Sequence, residues 1–231
     1  MSQNKRKIDY PIRRFLFLCL GLSIMAFGVA FSIKAALGTS PISSVPYVTS
    51  VISRLSVGTT TIIMNIMFVL IQIGILRRDY EWFQLLQIPA AIVFGTMIDV
   101  AEYVIAPIDV SNYFQQWLLC IIGIVLIALG VSVEVMANLV TTAGEGIVLA
   151  ICKKAPIRFG NMKVIFDVTL VVSACVLSLT FTGEISGVRE GTLAAALLVG
   201  TLTRQIRRPM GQLEAWFTAQ KPKIGAESPQ M

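Results

Sequence analysis

At 231 residues the chain has the length of one large or two small domains, yet 55% of its residues are hydrophobic, only 14% are charged and its mean hydropathy is +0.77. That composition excludes an ordinary soluble globular protein. With no histidine, imidazole bases, Ser-His-Asp and Cys-His nucleophiles and histidine metal sites are excluded as well. The net charge of +6 sits at chain ends and short loops instead of among exposed aromatics, so it is a topology signal and no nucleic-acid partner is expected.

From the N-terminus, Lys5, Arg6, Lys7, Arg13 and Arg14 precede an apolar stretch, 15–33, that is longer than a signal-peptide core and is followed by further apolar runs. It is therefore a retained first helix. Residues 35–53, 55–76, 82–98 and 110–133 are likewise free of Lys, Arg, Asp and Glu. Runs of about 20 such residues are the signature of membrane-spanning helices. Reading the runs against charges and breakers predicts helices near 15–36, 60–77, 83–104, 117–138, 161–182 and 190–204, with shorter segments near 41–54 and 143–154. The fold class is all-α: a polytopic transmembrane helical bundle of six long helices and two short ones. The short segments cover roughly 20 Å, too little for a ~30 Å hydrocarbon core, and are expected to be re-entrant or interfacial.

The chain also matches itself. At an offset of 102 residues Gly21 meets Gly123, Ala26 meets Ala128, Gly28 meets Gly130, Leu37 meets Leu139, Thr39-Ser40 meets Thr141-Thr142, Gly58 meets Gly160 and Asn65 meets Asp167. At an offset of 105, the seven residues from Ala90 to Thr96 lie over Ala195 to Thr201. The order of these landmarks marks two internal repeats. The organisation read from them is a basic cytoplasmic N-terminus 1–14, a first repeat 15–105, an external linker 106–116, a second repeat 117–208 and a cytoplasmic amphipathic tail 209–231.

Basic residues set orientation. If both short segments return to the face they left, fifteen basic residues lie inside and only Arg54 and Arg189 outside; if both cross, the split is fourteen against three. Segment length and the linker without Lys or Arg favour the first arrangement. Each half then has three spans, the second half is inverted, and the layout is that of many secondary transporters. In both arrangements the termini are cytoplasmic.

The run Gly38-Thr39-Ser40-Pro41 is a helix start, with hydroxyls for a cap and proline at the first helical position. Such a start at membrane depth offers free N–H groups and a positive dipole end to a carboxylate or phosphate. Ser43 and Ser44 follow it, and its partner in the second half is Thr141-Thr142-Ala143-Gly144-Glu145-Gly146. Two such starts facing each other would form one central polar site, with Gly38, Thr39, Ser40, Ser43, Ser44, Asn65, Thr141, Thr142, Gly144, Glu145 and Asp167 as candidate solute-binding residues. Asp167 lies inside an apolar helix, where an acid is costly and points to function; the structural alternative is a pair with Lys163 one turn earlier. Asp99, Glu134 and Asp167 are the candidates for coupling through a proton or cation. Each of these residues has a plainer role open to it, as a cap, a turn or a solvated acid.

The cysteines Cys19, Cys120, Cys152 and Cys175 stand singly in apolar surroundings, which predicts buried filler and neither a metal nor a cofactor. Trp82, Tyr103, Tyr113 and Trp117 fall near helix ends as interface anchors. Met210, Leu213, Trp216 and Phe217 share one helical face, suited to the cytoplasmic leaflet, before a disordered end.

Gly28, the run Ala36-Leu37-Gly38-Thr39-Ser40-Pro41, Gly58-Thr59, Asn65 and the second-half run from Thr141 to Gly146 leading to Gly160 and Asp167 resemble the YczE/YitT-type group of bacterial multi-pass membrane proteins over roughly residues 13–208. The resemblance implies a bacterial inner-membrane protein and no particular substrate. The reading is a non-enzymatic secondary transporter or permease for a small polar or anionic solute, embedded in the lipid bilayer, with a homodimer open. No nucleotide motif is present for primary pumping. The alternatives are a non-transporting accessory or regulatory membrane protein, or the substrate-binding subunit of a multi-component importer. A polar cavity between the halves would favour transport and a dry interface the accessory role.

Overall fold

The structure, a computed structural model, describes residues 11–218, with side chains described for 12–207. The basic residues 1–10, the proposed disordered end 219–231 and the side chains of Met210, Leu213, Trp216 and Phe217 lie outside the described residues. The described residues form eight α-helices and no strand: α1 (Pro11–Lys34), α2 (Pro41–Ser53), α3 (Val57–Leu76), α4 (Gln87–Ile105), α5 (Tyr113–Ala137), α6 (Ala143–Lys154), α7 (Phe159–Thr182) and α8 (Glu190–Thr218). Two 3-10 turns, Arg77–Asp79 and Trp82–Leu86, join α3 to α4. In lipid every backbone group must be satisfied internally, and helices do this within one segment. The protein is an all-α membrane bundle. Among the described residues five helices, α1, α3, α4, α5 and α7, are long and apolar enough to cross a membrane.

Five boundaries differ from expectation by three residues or more: α1 is helical from Pro11, not 15, α4 starts at Gln87, not 83, because Trp82–Leu86 forms a 3-10 turn, and the other three each have a local reason. α3 starts at Val57, not 60, because the Ser56 hydroxyl accepts the Thr59 N–H at 3.1 Å. α5 starts at Tyr113, not 117, where Asn112 and Gln115 form a capping box, so the linker shortens to 106–112. α8 was expected to end at 204 and instead continues through Pro209 to Thr218. Its charge-free part is only the stretch from Gly191 to Thr203, about 20 Å of helix, which is why it falls short of the five candidate spans.

The directions of the helices follow from who meets whom. Along α1 and α5, Arg14 donates to the Ala137 and Asn138 carbonyls, Gly21 lies against Gly130, and Gly28 lies against Gly123 and Ile127, so the pair is antiparallel. α1 and α4 are parallel: Leu22 faces Ala90 and Ala91, Ala30 packs with Ala101 and Ile105, and Lys34 donates to the Ala106 carbonyl at 2.9 Å. α3 and α4 are antiparallel, with Gly58 at Gly95 and Gln72 at Gln87. Had α2 crossed the bundle, α1 and α4 would have to oppose each other. α2 therefore returns to the face it left, and α6 does the same, since Lys154 at its end bridges to Asp79 at 2.6 Å beside the end of α3.

The packing list is short. α1 packs on α5 and α4, α5 on α8, α3 on α4, α2 on α7 and α3, and α6 on α3 and α7. Outward-facing apolar side chains such as Leu16, Ile63, Leu70, Val168 and Val172 form the lipid-facing surface. Trp82, Tyr103 and Tyr113 are 78%, 83% and 57% exposed near the ends of α4 and α5, as interface anchors would be. The four cysteines are unpaired; Cys120 is buried and the other three are half-buried.

Candidate functional site

Both short helices are entered in the same way. After α1 the chain reverses at Ala36, φ 55°, and after α5 at Asn138, φ 44°, each left-handed and 102 residues apart. A non-glycine residue there is uncommon and is held by its surroundings. The chain then turns into the bundle and begins a short helix whose first residue is buried, Pro41 in α2 and Ala143 in α6. At α2, Thr39, Ser40, Ser43 and Ser44 are all buried. The Ser40 hydroxyl does not cap the helix as expected; it donates to the Ser43 hydroxyl at 3.0 Å, and Ser44 donates back to the Pro41 carbonyl at 2.7 Å. Thr39 N–H donates to the Gly187 carbonyl at 3.0 Å, and Gly38, φ 92°, lies against Arg189 and Thr192, so the turn is fastened to the loop before α8.

At α6 the cap is an acid. Glu134, 4% exposed, accepts the Thr142 N–H at 2.9 Å through Oε1. A carboxylate from α5 thus occupies the helix start that could have received an anionic solute. Glu145 sits half-buried in the first turn of α6, within electrostatic reach of Lys163 and Asp167. Asp167 pairs with Lys163 at 2.6 Å, the pairing that its spacing allowed. The two helix starts touch: the Ile42 side chain fills the space over Gly144, again residues 102 apart.

The structure brings Ser43, Ser44, Thr142, Gly144 and Glu145 to this junction, with Asn65 and Asp167 on flanking helices. Thr141 is exposed. Asp99 lies elsewhere, near the start of α3, where its carboxylate accepts from Gly58 N–H at 2.7 Å and Ser56 Oγ at 2.8 Å. Asn65 donates to the Thr61 carbonyl at 2.8 Å and lines a cavity of about 20 Å³ with Leu22, Gln87, Phe94 and Thr142. That is room for one water molecule, not a solute.

Sequence reasoning missed Gln72 and Gln87. Gln72, fully buried, donates through Nε2 to Gln87 Oε1 at 3.1 Å and to the Ala143 carbonyl at 3.0 Å, while its own Oε1 is unpartnered. It presses on Gly146, where a Cβ would come 2.5 Å from Oε1. A glutamine inside an apolar run was the available signal, since an uncharged amide at membrane depth needs a partner as an acid does. Among the described residues no group of His, Cys, Asp and Glu is arranged to hold a metal ion.

The chain belongs to the Family of unknown function (DUF6198), whose profile matches residues 12–208. It is 26% identical over 191 residues to the Uncharacterized protein YyaS of Bacillus subtilis (strain 168), covering 82% of this chain and 90% of that one. It is also 26% identical over 194 residues to the Uncharacterized membrane protein YczE of the same organism, covering 84% and 85%. No solved structure matches it. The resemblance to a YczE-like membrane family read from the motifs holds.

Proposed function

We propose that the protein is a secondary transporter of a small polar solute, built from two inverted repeats, with the junction of α2 and α6 as its binding region. The contact of the two half-helix starts at Ile42 and Gly144 carries the reading. Short helices that begin at membrane depth and meet at a pseudo-twofold axis are how inverted-repeat carriers present backbone N–H groups to substrate. Further support comes from the packing: exchanging α1–α4 with α5–α8 maps α1–α4 onto α5–α8, α2–α7 onto α6–α3 and α2–α3 onto α6–α7, and leaves α1–α5 in place. The start of α2 suits an anionic or strongly polar group. The start of α6, already held by Glu134, suits a proton or cation that travels with the solute.

Close packing around the one-water cavity favours a second reading, a non-transporting accessory protein. One experiment separates them. Purified protein is screened against small metabolites by thermal shift, then tested for uptake in vesicles with an imposed proton gradient. The expected result is a solute that stabilises wild type, does not stabilise Asp167→Asn, and is driven by the gradient in wild type but not in Glu134→Gln, which keeps an acceptor for Thr142 N–H and stays folded. A well-folded preparation that no solute stabilises, or variants that respond as wild type does, would sink the transport reading in favour of the accessory one.

The excess of basic residues at the face holding Arg13, Arg14, Arg77, Arg78, Lys153 and Lys154 supports an inner-membrane protein with both termini in the cytoplasm. With the native cysteines replaced, Arg54→Cys is expected to react with a membrane-impermeant maleimide in intact cells and Lys154→Cys only after lysis. The opposite pattern reverses the orientation.

A further inference from the structure

The two halves differ most at one contact. α3 crosses α4 backbone against backbone: a Cβ on Gly58 would overlap the Gly95 carbonyl and lie 2.5 Å from the Asp99 carboxyl, and a Cβ on Gly95 would run into Ile62. At the corresponding places of the second half stand Gly160, in the first turn of α7, and Gly200, in α8. A Cβ on either would meet nothing within 4 Å. Among the described residues α7 packs on α2 and α6 and has no comparable packing on α8. It is also the least buried of the five candidate spans, 22% against 50% for α1 and 56% for α5. Val164, the counterpart of Ile62, is 62% exposed.

Glycine inside a helix costs about 1 kcal/mol relative to alanine and is used in membranes where another backbone must come close. At Gly58 and Gly95 that use is visible. A Cβ at Gly160, Gly200 or Gly74 would meet nothing in this conformation, and only Gly160 and Gly200 correspond to glycines that are in contact in the other half. We propose that the chain has a second conformation in which α7 closes on α8, Gly160 against Gly200 and Val164 over Gly200, completing in the second half the crossing that the first half already makes. Closure encloses Asp167, as Asn65 is enclosed between α1, α3 and α4, with Ile124, Ala195 and Val199 taking the places of Leu22, Ala90 and Phe94. The structure is then one end of a movement that opens and shuts a cleft beside the junction of α2 and α6. The inference rests on the two halves being repeats and deepens the transport reading.

Trapping by cysteine pairs tests it without any solute, so it can fail or succeed independently of uptake. In membranes, with the four native cysteines replaced, Val164→Cys/Gly200→Cys is treated with copper-phenanthroline and read as loss of both thiols and as linked peptides by mass spectrometry. Ile42→Cys/Gly144→Cys, at the touching starts of α2 and α6 where a Cβ on Gly144 would lie 3.4 Å from Ile42 Cγ1, reports that the reagent works. Oxidative trapping accumulates even a minor state. The expected result is a link within one chain that falls at least tenfold when Gly160→Trp wedges the helices apart, with size-exclusion profile and Tm confirming that each variant is folded. Free thiols while the control pair links, a link indifferent to Gly160→Trp, or a link between two copies seen as a covalent dimer would each overturn the closure.

Discussion

Gly28→Leu is expected to leave no folded, monodisperse protein, whereas Gly74→Leu is expected to be tolerated. α1 and α5 form the axis of the bundle, and they approach so closely that a Cβ on Gly28 would lie 2.7 Å from Ile127 N and 2.8 Å from the Gly123 carbonyl oxygen. These are backbone atoms, so no rotamer change relieves the overlap. From the other side, a Cβ on Gly130 would lie 2.6 Å from the Gly21 carbonyl oxygen, and one on Gly123 2.5 Å from Ser32 Oγ. Adding even one methylene to a packed core costs about 1–3 kcal/mol; a leucine against two backbones is expected to cost ~5 kcal/mol or more, comparable with the whole stability of a small domain. Gly74 is exposed on α3 with nothing within 4 Å of a Cβ, and leucine there gains about 0.8 kcal/mol of helix propensity. Fluorescent-fusion size exclusion and thermal denaturation of the two variants check the contrast. Folded Gly28→Leu would mean that α1 and α5 are not in backbone contact.

Asp99→Ala is expected to lower stability by about 2–4 kcal/mol, or roughly 5–15 °C in Tm. The carboxylate accepts the Gly58 N–H at 2.7 Å and the Ser56 hydroxyl at 2.8 Å, and Ser56 in turn holds Thr59 N–H at 3.1 Å. It also stands at the positive end of the α3 dipole, so its bonds are charge-assisted. Alanine leaves a backbone N–H at the end of a packed membrane helix without its partner and unties α4 from α3. Asp99→Asn, which can still accept one of the two bonds, is expected to lose about 1 kcal/mol. Equal losses for the two variants would show that the acceptor geometry plays no part. This attachment gives Asp99 a structural job in the first half, at a place where the second half has Arg204 on the equivalent helix.

Eight helices at nearly these positions followed from the sequence because long charge-free runs can satisfy their backbones in lipid only as helices. The two short ones announced themselves by length and by the paired hydroxyls before Pro41 and before Ala143, and the glycines of α1 and α5 by their matching spacing. The membrane location and the YczE-like family were legible for the same reason: they depend on composition and on local motifs. Segment length and the linker without Lys or Arg favoured the return of α2, but basic-residue counts of fifteen against two and fourteen against three do not separate the arrangements; deciding between them took the parallel run of α1 and α4, a relation between segments about 70 residues apart. Nor could periodicity show that Glu134 would cap Thr142, because their meeting depends on the reversal at Asn138, or that Gln72 would find Gln87 and the Ala143 carbonyl. The open α7–α8 pair is the clearest case. Matched residues in the two halves encode the same local preferences, but whether two helices are in contact depends on the balance of packing among all their neighbours, and that balance exists only in the assembled bundle.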